Sequence, residues 1–350
     1  MYKTFNMGRL NILVFSIIIF VNGCAFSTTE KIKTANPDLS PSARHLLEFI
    51  YQVEDNNLVI SGNHNYLGHM SLYSDSIFLL TGKYPALWGC DFGFSDSTHD
   101  IDNIKYRSNL IAEVIKQHNA GSIITFTYHQ ANPIIGEPCQ FKGGVQSKLT
   151  DQEWQDLLTP GTEIYNLWKQ QVDLFASYLK QLQNKNIPVL FRPYHEMTGQ
   201  WFWWGGRPGE NGFIALWKQL FDLYVNDHEL NNLIWVWSMD RPWPGFEDYF
   251  PGHEYVDIIA SDIYPLRDTN VVFRQEWYEK VVKLAGNKPL LIGECSVLPT
   301  WEEWENQPKW SSFMGWCDLT KKYNDANYLI ELYNSEMVLT RDELPAFMSE

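Results

Sequence analysis

Eight short apolar runs recur along this chain, and what separates them limits the fold more than any other feature. They are Leu58–Ser61, Tyr84–Trp88, Ser122–Thr127, Pro188–Arg192, Leu233–Trp237, Val256–Ala260, Pro289–Ile292 and Ser311–Trp316. Between most of them, apolar residues return at three- and four-residue steps. Over Glu163–Asn184 the stripe is Ile164, Leu167, Trp168, Val172, Phe175, Leu179 and Leu182. Over Phe213–Tyr224 it is Phe213, Leu216, Trp217, Leu220 and Tyr224. That spacing is helical. Strand-length runs alternating with helices imply parallel strands, each returned by a crossover. Eight such units predict an α/β fold, a closed (β/α)8 TIM barrel in a single catalytic domain over residues 40–350. The alternative is an open doubly wound sheet, but no Gly-rich phosphate fingerprint supports it.

The first 23 residues stand apart. Lys3 and Arg9 precede an apolar run from Leu10 to Val21, followed by Asn22, Gly23 and Cys24. A positive start, a short apolar core and a small residue before the cut describe an export signal. Its roughly 12 apolar residues fall short of the ~20 a spanning helix needs. Cys24 at this place resembles the lipidated cysteine of a bacterial lipobox, although Asn22 departs from the usual small residue. The expectation is a lipoprotein anchored to the cell envelope through Cys24, with plain secretion as the alternative. Residues 24–39 are expected to be a tether, and Ser40 with Pro41 reads as a helix start.

Composition narrows the partners. The formal net charge is −15. A surface this acidic repels phosphate backbones, so nucleic acid is not an expected partner. There are 15 Trp, more than ordinary cores need; they read either as flat apolar platforms for sugar faces or as part of a large core. With Cys24 set aside, Cys90, Cys139, Cys295 and Cys317 remain. Their spacing fits no zinc motif, so neither a metal nor another cofactor is expected. The pairs Cys90–Cys139 and Cys295–Cys317 join neighbouring strand ends or the loops after them, and are candidate disulfides for an exported protein. A monomer is expected.

In a barrel enzyme, polar residues at the C-terminal ends of the strands face the site. Reading each end gives His64 and Asn65, Asp91, Tyr128 to Pro133, Arg192 to Glu196, Met239 to Arg241, Asp262 to Pro265, Gly293 to Ser296, and Trp316. Glu196 and Glu294 stand out, because each ends a strand too apolar to hold an idle carboxylate cheaply. They fall on strands four and seven, which face one another across an eight-stranded barrel. Two such carboxylates suit glycoside hydrolysis. The connection from Pro133 to Thr162 is unusually long and is expected to wall the site. Inside it, Thr150 and Glu153 are spaced as a capping box.

The stretch Phe191-Arg-Pro-Tyr-His-Glu-Met-Thr-Gly-Gln-Trp-Phe-Trp-Trp-Gly205 resembles the acid/base motif of glycoside hydrolase family 26, a family mainly of endo-β-1,4-mannanases. His195-Glu196 is its mark. Tyr128-His129-Gln130-Ala131-Asn132-Pro133 resembles its third-strand motif, with Tyr128 where Trp is usual. Asp262-Ile263-Tyr264 and Ile292-Gly293-Glu294 match its sixth and seventh strands. The resemblance covers residues 40–340.

It implies a retaining mechanism on β-mannan or manno-oligosaccharides. Glu196 would be the acid and then the base, Glu294 the nucleophile, and Tyr264 would hydrogen-bond Glu294. His129 and His195 would bind sugar near the reacting ring, and Trp201 and Trp316 would pack against it. At least two of the four aromatics 201–204 are expected to be core. Arg192 could grip a carboxylate in bidentate fashion or serve the core. Asn132 could be a ligand or a loop staple. Asp262 could orient Tyr264 or His195 or touch substrate. The same chemistry on mixed-linkage β-glucan or β-1,3-xylan stays open, with Tyr128 the first place to look for such a shift. A non-catalytic glycan-binding lipoprotein is a further reading.

Overall fold

The computed structural model describes residues 32–266 and 271–345. The expected signal segment, Cys24 and the first half of the expected tether lie outside the described residues.

Eight parallel strands close on themselves. They are β1 (Val59–Ile60 and Gly62–Asn65, either side of Ser61), β2 (Leu87–Asp91), β3 (Ile123–Tyr128), β4 (Val189–Pro193), β5 (Leu233–Met239), β6 (Ile258–Ile263), β7 (Leu290–Cys295) and β8 (Trp310–Gly315). Each pairs with the next in order. β8 then returns to β1 through Ile60 opposite Ser312 and Gly315 opposite Asn63. That last pairing makes a barrel and rules out the open sheet.

Helices wrap the outside. α1 (Pro41–Asp55) precedes β1, capped by Ser40 with Pro41 at its first position. α2 (Leu72–Thr81), α3 (Leu110–Asn119), α4 (Asp151–Leu157) and α5 (Glu163–Gln183) follow, then α6 (Phe213–Asp222), α7 (Gln275–Ala285), α8 (Trp301–Asn306), α9 (Leu319–Tyr323) and α10 (Ala326–Tyr333). The α5 stripe packs inward as its spacing requires: Trp168, Val172, Phe175 and Leu179 are buried. Phe175 stacks on Phe92 with centroids 4.0 Å apart. Thr150 and Glu153 form the capping box that opens α4. Between β5 and β6 there is no α-helix, only two 3-10 turns, Phe246–Tyr249 and His253–Tyr255.

Seven of the eight strands run on past their apolar runs. The extra residues include His64, Asn65, Asp91, Met239, Asp262 and Glu294. They lie where the barrel mouth holds paired polar groups, which is why hydrophobicity does not mark the strand end.

Two expectations change. Residues 35–39 are docked rather than free: Ala35 N–H donates to Asp257 Oδ1 at 2.7 Å, and buried Asn36 donates to Leu230 O at 3.3 Å. The expected tether is therefore shorter at its C-terminal end. The four cysteines 90, 139, 295 and 317 are all buried and unbridged, so neither candidate disulfide forms. Cys295 Sγ is turned to Met314 O, at 3.6 Å.

Candidate active site

β4 and the turn after it deliver three side chains in three directions. Tyr194 and Glu196 both adopt left-handed backbone, with φ 48° and 56°. Each costs an L-residue about 1–3 kcal/mol. The turn is held by Glu196 N–H donating to Ser238 O at 2.8 Å. Tyr194 leaves the site: its hydroxyl accepts from Trp168 Nε1 at 2.7 Å and donates to Gln130 at 2.9 Å. His195 is buried in the barrel mouth, and Glu196 lines the cleft.

The aromatic run after Glu196 fixes that turn. Trp201 Nε1 donates to Glu196 Oε2 at 2.6 Å. Trp203 Nε1 donates to Gln130 O at 2.9 Å, and Trp204 Nε1 to His195 O at 2.8 Å. Phe202, Trp203 and Trp204 are buried while Trp201 stays half-exposed, so three of the four are core.

Arg192 lies beneath. Its Nη1 donates to both oxygens of Asp262, at 2.7 and 2.8 Å, and to Ser238 Oγ at 3.0 Å. Its Nη2 donates to Glu294 Oε1. The other oxygen of Glu294 accepts from Tyr264 OH at 3.0 Å, and His195 Nε2 stands 3.5 Å from Oε1. Asp262 therefore meets Arg192 rather than Tyr264 or His195. Glu294 owes its aim to a break in register between Ile292 and Glu294 on β7, a bulge that turns a side chain. Gly293 makes room there: a Cβ would come within 2.5 Å of Asp262 Oδ1 and 2.6 Å of Ser238 Oγ. His195, Asp262 and Glu294 have the atom types of a metal site. The guanidinium between the carboxylates already supplies the counter-charge.

A third wall is imidazole and indole. His129 Nδ1 bonds Asp91, and its Nε2 lies 3.0 Å from His195 Nε2. Burial opposes the Asp91 charge, but the adjoining His129 and Gly93 N–H hold its carboxyl down at about 2. Burial, with His129 and Arg192 nearby, pushes His195 far below the usual imidazole range, so it is neutral. Trp316 stacks on His64 at 4.2 Å and donates to Tyr66 OH at 2.8 Å.

The two glutamates are treated unequally. Glu196 is pushed well above the ordinary carboxylate range by burial first, then by the charges of Glu294, Asp262 and Asp240. Glu294 has a cationic partner and a phenol donor; Glu196 has one indole N–H. Arg192 offers one positive charge to Asp262 and Glu294 together, so a third anion at Glu196 is disfavoured.

The cleft above them has a volume of about 340 Å3. Glu196, Trp201, Asp262 and Tyr264 line it, with Phe202, Asp240 and Arg241, and Phe141 and Gln146 from the long β3–β4 connection. That connection does wall the site. Asn132 does not join it: its Nδ2 bonds Ser147 Oγ at 3.0 Å and its Oδ1 accepts from Ile134 N–H at 3.0 Å, so it is a loop staple. Tyr128 does not reach the cleft either. It is buried between Phe92 and Phe175, on the helix side of β3. Asp240 and Arg241 stood at a strand end and were legible as candidates. Phe141 and Gln146 sit in an irregular loop with no period to reveal them.

The profile of Glycosyl hydrolase family 26 matches residues 35–343. "Mannan endo-1,4-beta-mannosidase A and B" of Caldalkalibacillus mannanilyticus is 28% identical, over 98% of this chain and 69% of its own length. "Mannan endo-1,4-beta-mannosidase A" of Piromyces sp. is 31% identical over 76% of this chain, which spans 43% of that longer protein. Among solved structures, GH26A from Muricauda sp. MAR_2010_75 superposes with a TM-score of 0.81 at 38% identity, covering 89% of this chain and 99% of that one. A β-mannanase from a symbiotic protist of the termite Reticulitermes speratus, complexed with gluco-manno-oligosaccharide, gives 0.75 at 25% identity, covering 89% and 97%. With the profile covering most of its length, this chain belongs to glycosyl hydrolase family 26.

Proposed function

We propose that this glycosyl hydrolase is an endo-β-1,4-mannanase that works by retaining double displacement, with Glu196 as acid/base and Glu294 as nucleophile. The observation that carries the reading is the opposite setting of the two carboxyls. Glu294 is held by Arg192 and Tyr264, and Glu196 is pushed toward its protonated form beside the cleft.

In the first step a Glu294 oxygen attacks the anomeric carbon. The bond to the leaving oxygen breaks, and Glu196 gives that oxygen its proton. A glycosyl ester on Glu294 results, and the negative charge of Glu294 is gone. That charge is one cause of the raised Glu196 pKa, so Glu196 now ionises more readily. In the second step Glu196 takes a proton from water as the water oxygen attacks the same carbon. Glu294 leaves as a carboxylate, and two inversions leave the anomeric configuration unchanged.

The mannan half of the proposal rests on the relatives, which are named for that activity. Incubation with galactomannan, mixed-linkage β-glucan and β-1,3-xylan, beside Glu294→Ala, tests both halves. Rapid loss of galactomannan viscosity by the wild type and none by the variant is the expected result. Intact galactomannan beside a cleaved glucan or xylan would overturn the substrate, and cleavage by Glu294→Ala would overturn the nucleophile.

The N-terminal motif supports export and lipidation at Cys24. Cys24→Ser should move the protein from the membrane fraction to the soluble one. A variant that stays with the membrane would count against the anchor.

A further inference from the structure

We infer that Trp243 and Arg241, on the β5–β6 connection, form an additional sugar subsite on the leaving-group side of the cleft, taking a hexopyranose unit of the polymer. The inference rests on the glycosidase reading above and deepens it.

Trp243 keeps 37% of its surface open, although many of the chain's other indoles are buried outright. It is also held. Its Nε1–H donates to Asp240 Oδ2 at 2.9 Å. Trp277 on α7 packs against its edge, with centroids 5.8 Å apart at 65°. The Arg241 guanidinium lies 5.6 Å from its ring centre.

The backbone beneath is equally fixed. Trp243 stands between Pro242 and Pro244, which lock their own φ. Trp243 N–H donates back to Arg241 O at 2.8 Å, closing a tight turn around Pro242. Its carbonyl accepts from Phe246 N–H at 3.0 Å. A loop this constrained loses little entropy on binding, and rings with few free torsions make good anchors.

The ring is tied to the cleft. Asp240, which holds the indole, and Arg241, which lies against it, both line the catalytic cleft with Glu196. Arg241 Nη2 donates to Tyr264 O at 2.8 Å, which fixes the guanidinium at the cleft edge. A stacking ring beside a guanidinium at the cleft edge matches a pyranose, which presents C–H groups on its face and hydroxyls at its rim.

The side follows from the topology. The imidazole and indole wall of His64, His129 and Trp316 comes from β1, β3 and the end of β8. β5 stands across the barrel from β1. Glu196 protonates the leaving oxygen, and Asp240 and Arg241 border the cleft on its β5 side. The leaving portion of the chain therefore runs toward Trp243.

The test compares mannohexaose with an aryl β-mannobioside, whose leaving group ends before this subsite. Trp243→Ala should raise KM for mannohexaose about tenfold more than KM for the aryl substrate, as expected for removal of an aromatic anchor. Trp243→Phe, which keeps a ring but loses the bond to Asp240, should restore most of the difference. Equal changes on both substrates, or none on either, would overturn the subsite. If the wild type fails to cleave mannohexaose, the mannanase reading falls by itself. The same ratio is then measured on the glucan or xylan oligosaccharide that it does cleave.

Discussion

Arg192 sets the charges on which the chemistry depends. One buried guanidinium serves Asp262 and Glu294, and removing it leaves two carboxylates in a dry pocket. Arg192→Met should destabilise the fold by about 3–5 kcal/mol, measured by urea unfolding. A loss below about 1 kcal/mol would mean the pocket is wetter than its burial indicates. Glu196 gives a pH prediction. Its proton is required for the first step, and its pKa is raised, so kcat/KM should fall as pH rises through that pKa. Glu196→Gln should remove this basic limb and lower kcat on mannan by about 10²–10⁴-fold. Aryl substrates with acidic leaving groups should lose much less in the first step, because they depart without a proton. A carboxyl whose folded pKa lies above its unfolded value stabilises fully below the unfolded value, and that contribution is lost as pH rises through the folded one. Glu196→Gln should therefore raise Tm at pH 8 and not at pH 4; a Tm gain independent of pH would contradict it.

Single elements carry the aim of these groups. The β7 bulge turns Glu294, and Gly293 leaves space for Asp262 and Ser238 against it. Gly293→Ala must push back the Arg192 clamp. It should lower kcat by about a hundredfold, in line with a displacement of about 1 Å at a reacting group. Wild-type kcat in that variant would show that the clamp yields without cost. The turn after β4 depends on Tyr194, whose hydroxyl joins Trp168 to Gln130. Tyr194→Phe leaves both of those buried groups short of a partner and should cost about 1–3 kcal/mol in thermal or urea melts.

Much of the whole molecule was legible in the sequence, for definite reasons. Eight apolar runs separated by helical stripes specify a barrel, because parallel strands need crossovers. Strand ends were less legible. His64, Asp91 and Asp262 bond to partners far away in the chain, Thr127, His129 and Arg192, which no local pattern records. Glu196, Glu294, Arg192 and Tyr264 were readable because they follow apolar strands or sit in a recognised motif. Asn132 sat in a motif too, yet its amide is used up within its own loop. Phe141 and Gln146 escaped because an irregular loop has no period. The disulfide candidates failed because adjacency along strands says nothing of which way a thiol turns.

The central claim is that Glu196 and Glu294 cleave by two displacements at one carbon. Proton NMR of the reducing ends released from mannohexaose, recorded before mutarotation, tests it most directly. The β-anomer appearing first is the predicted result; the α-anomer appearing first would contradict the account.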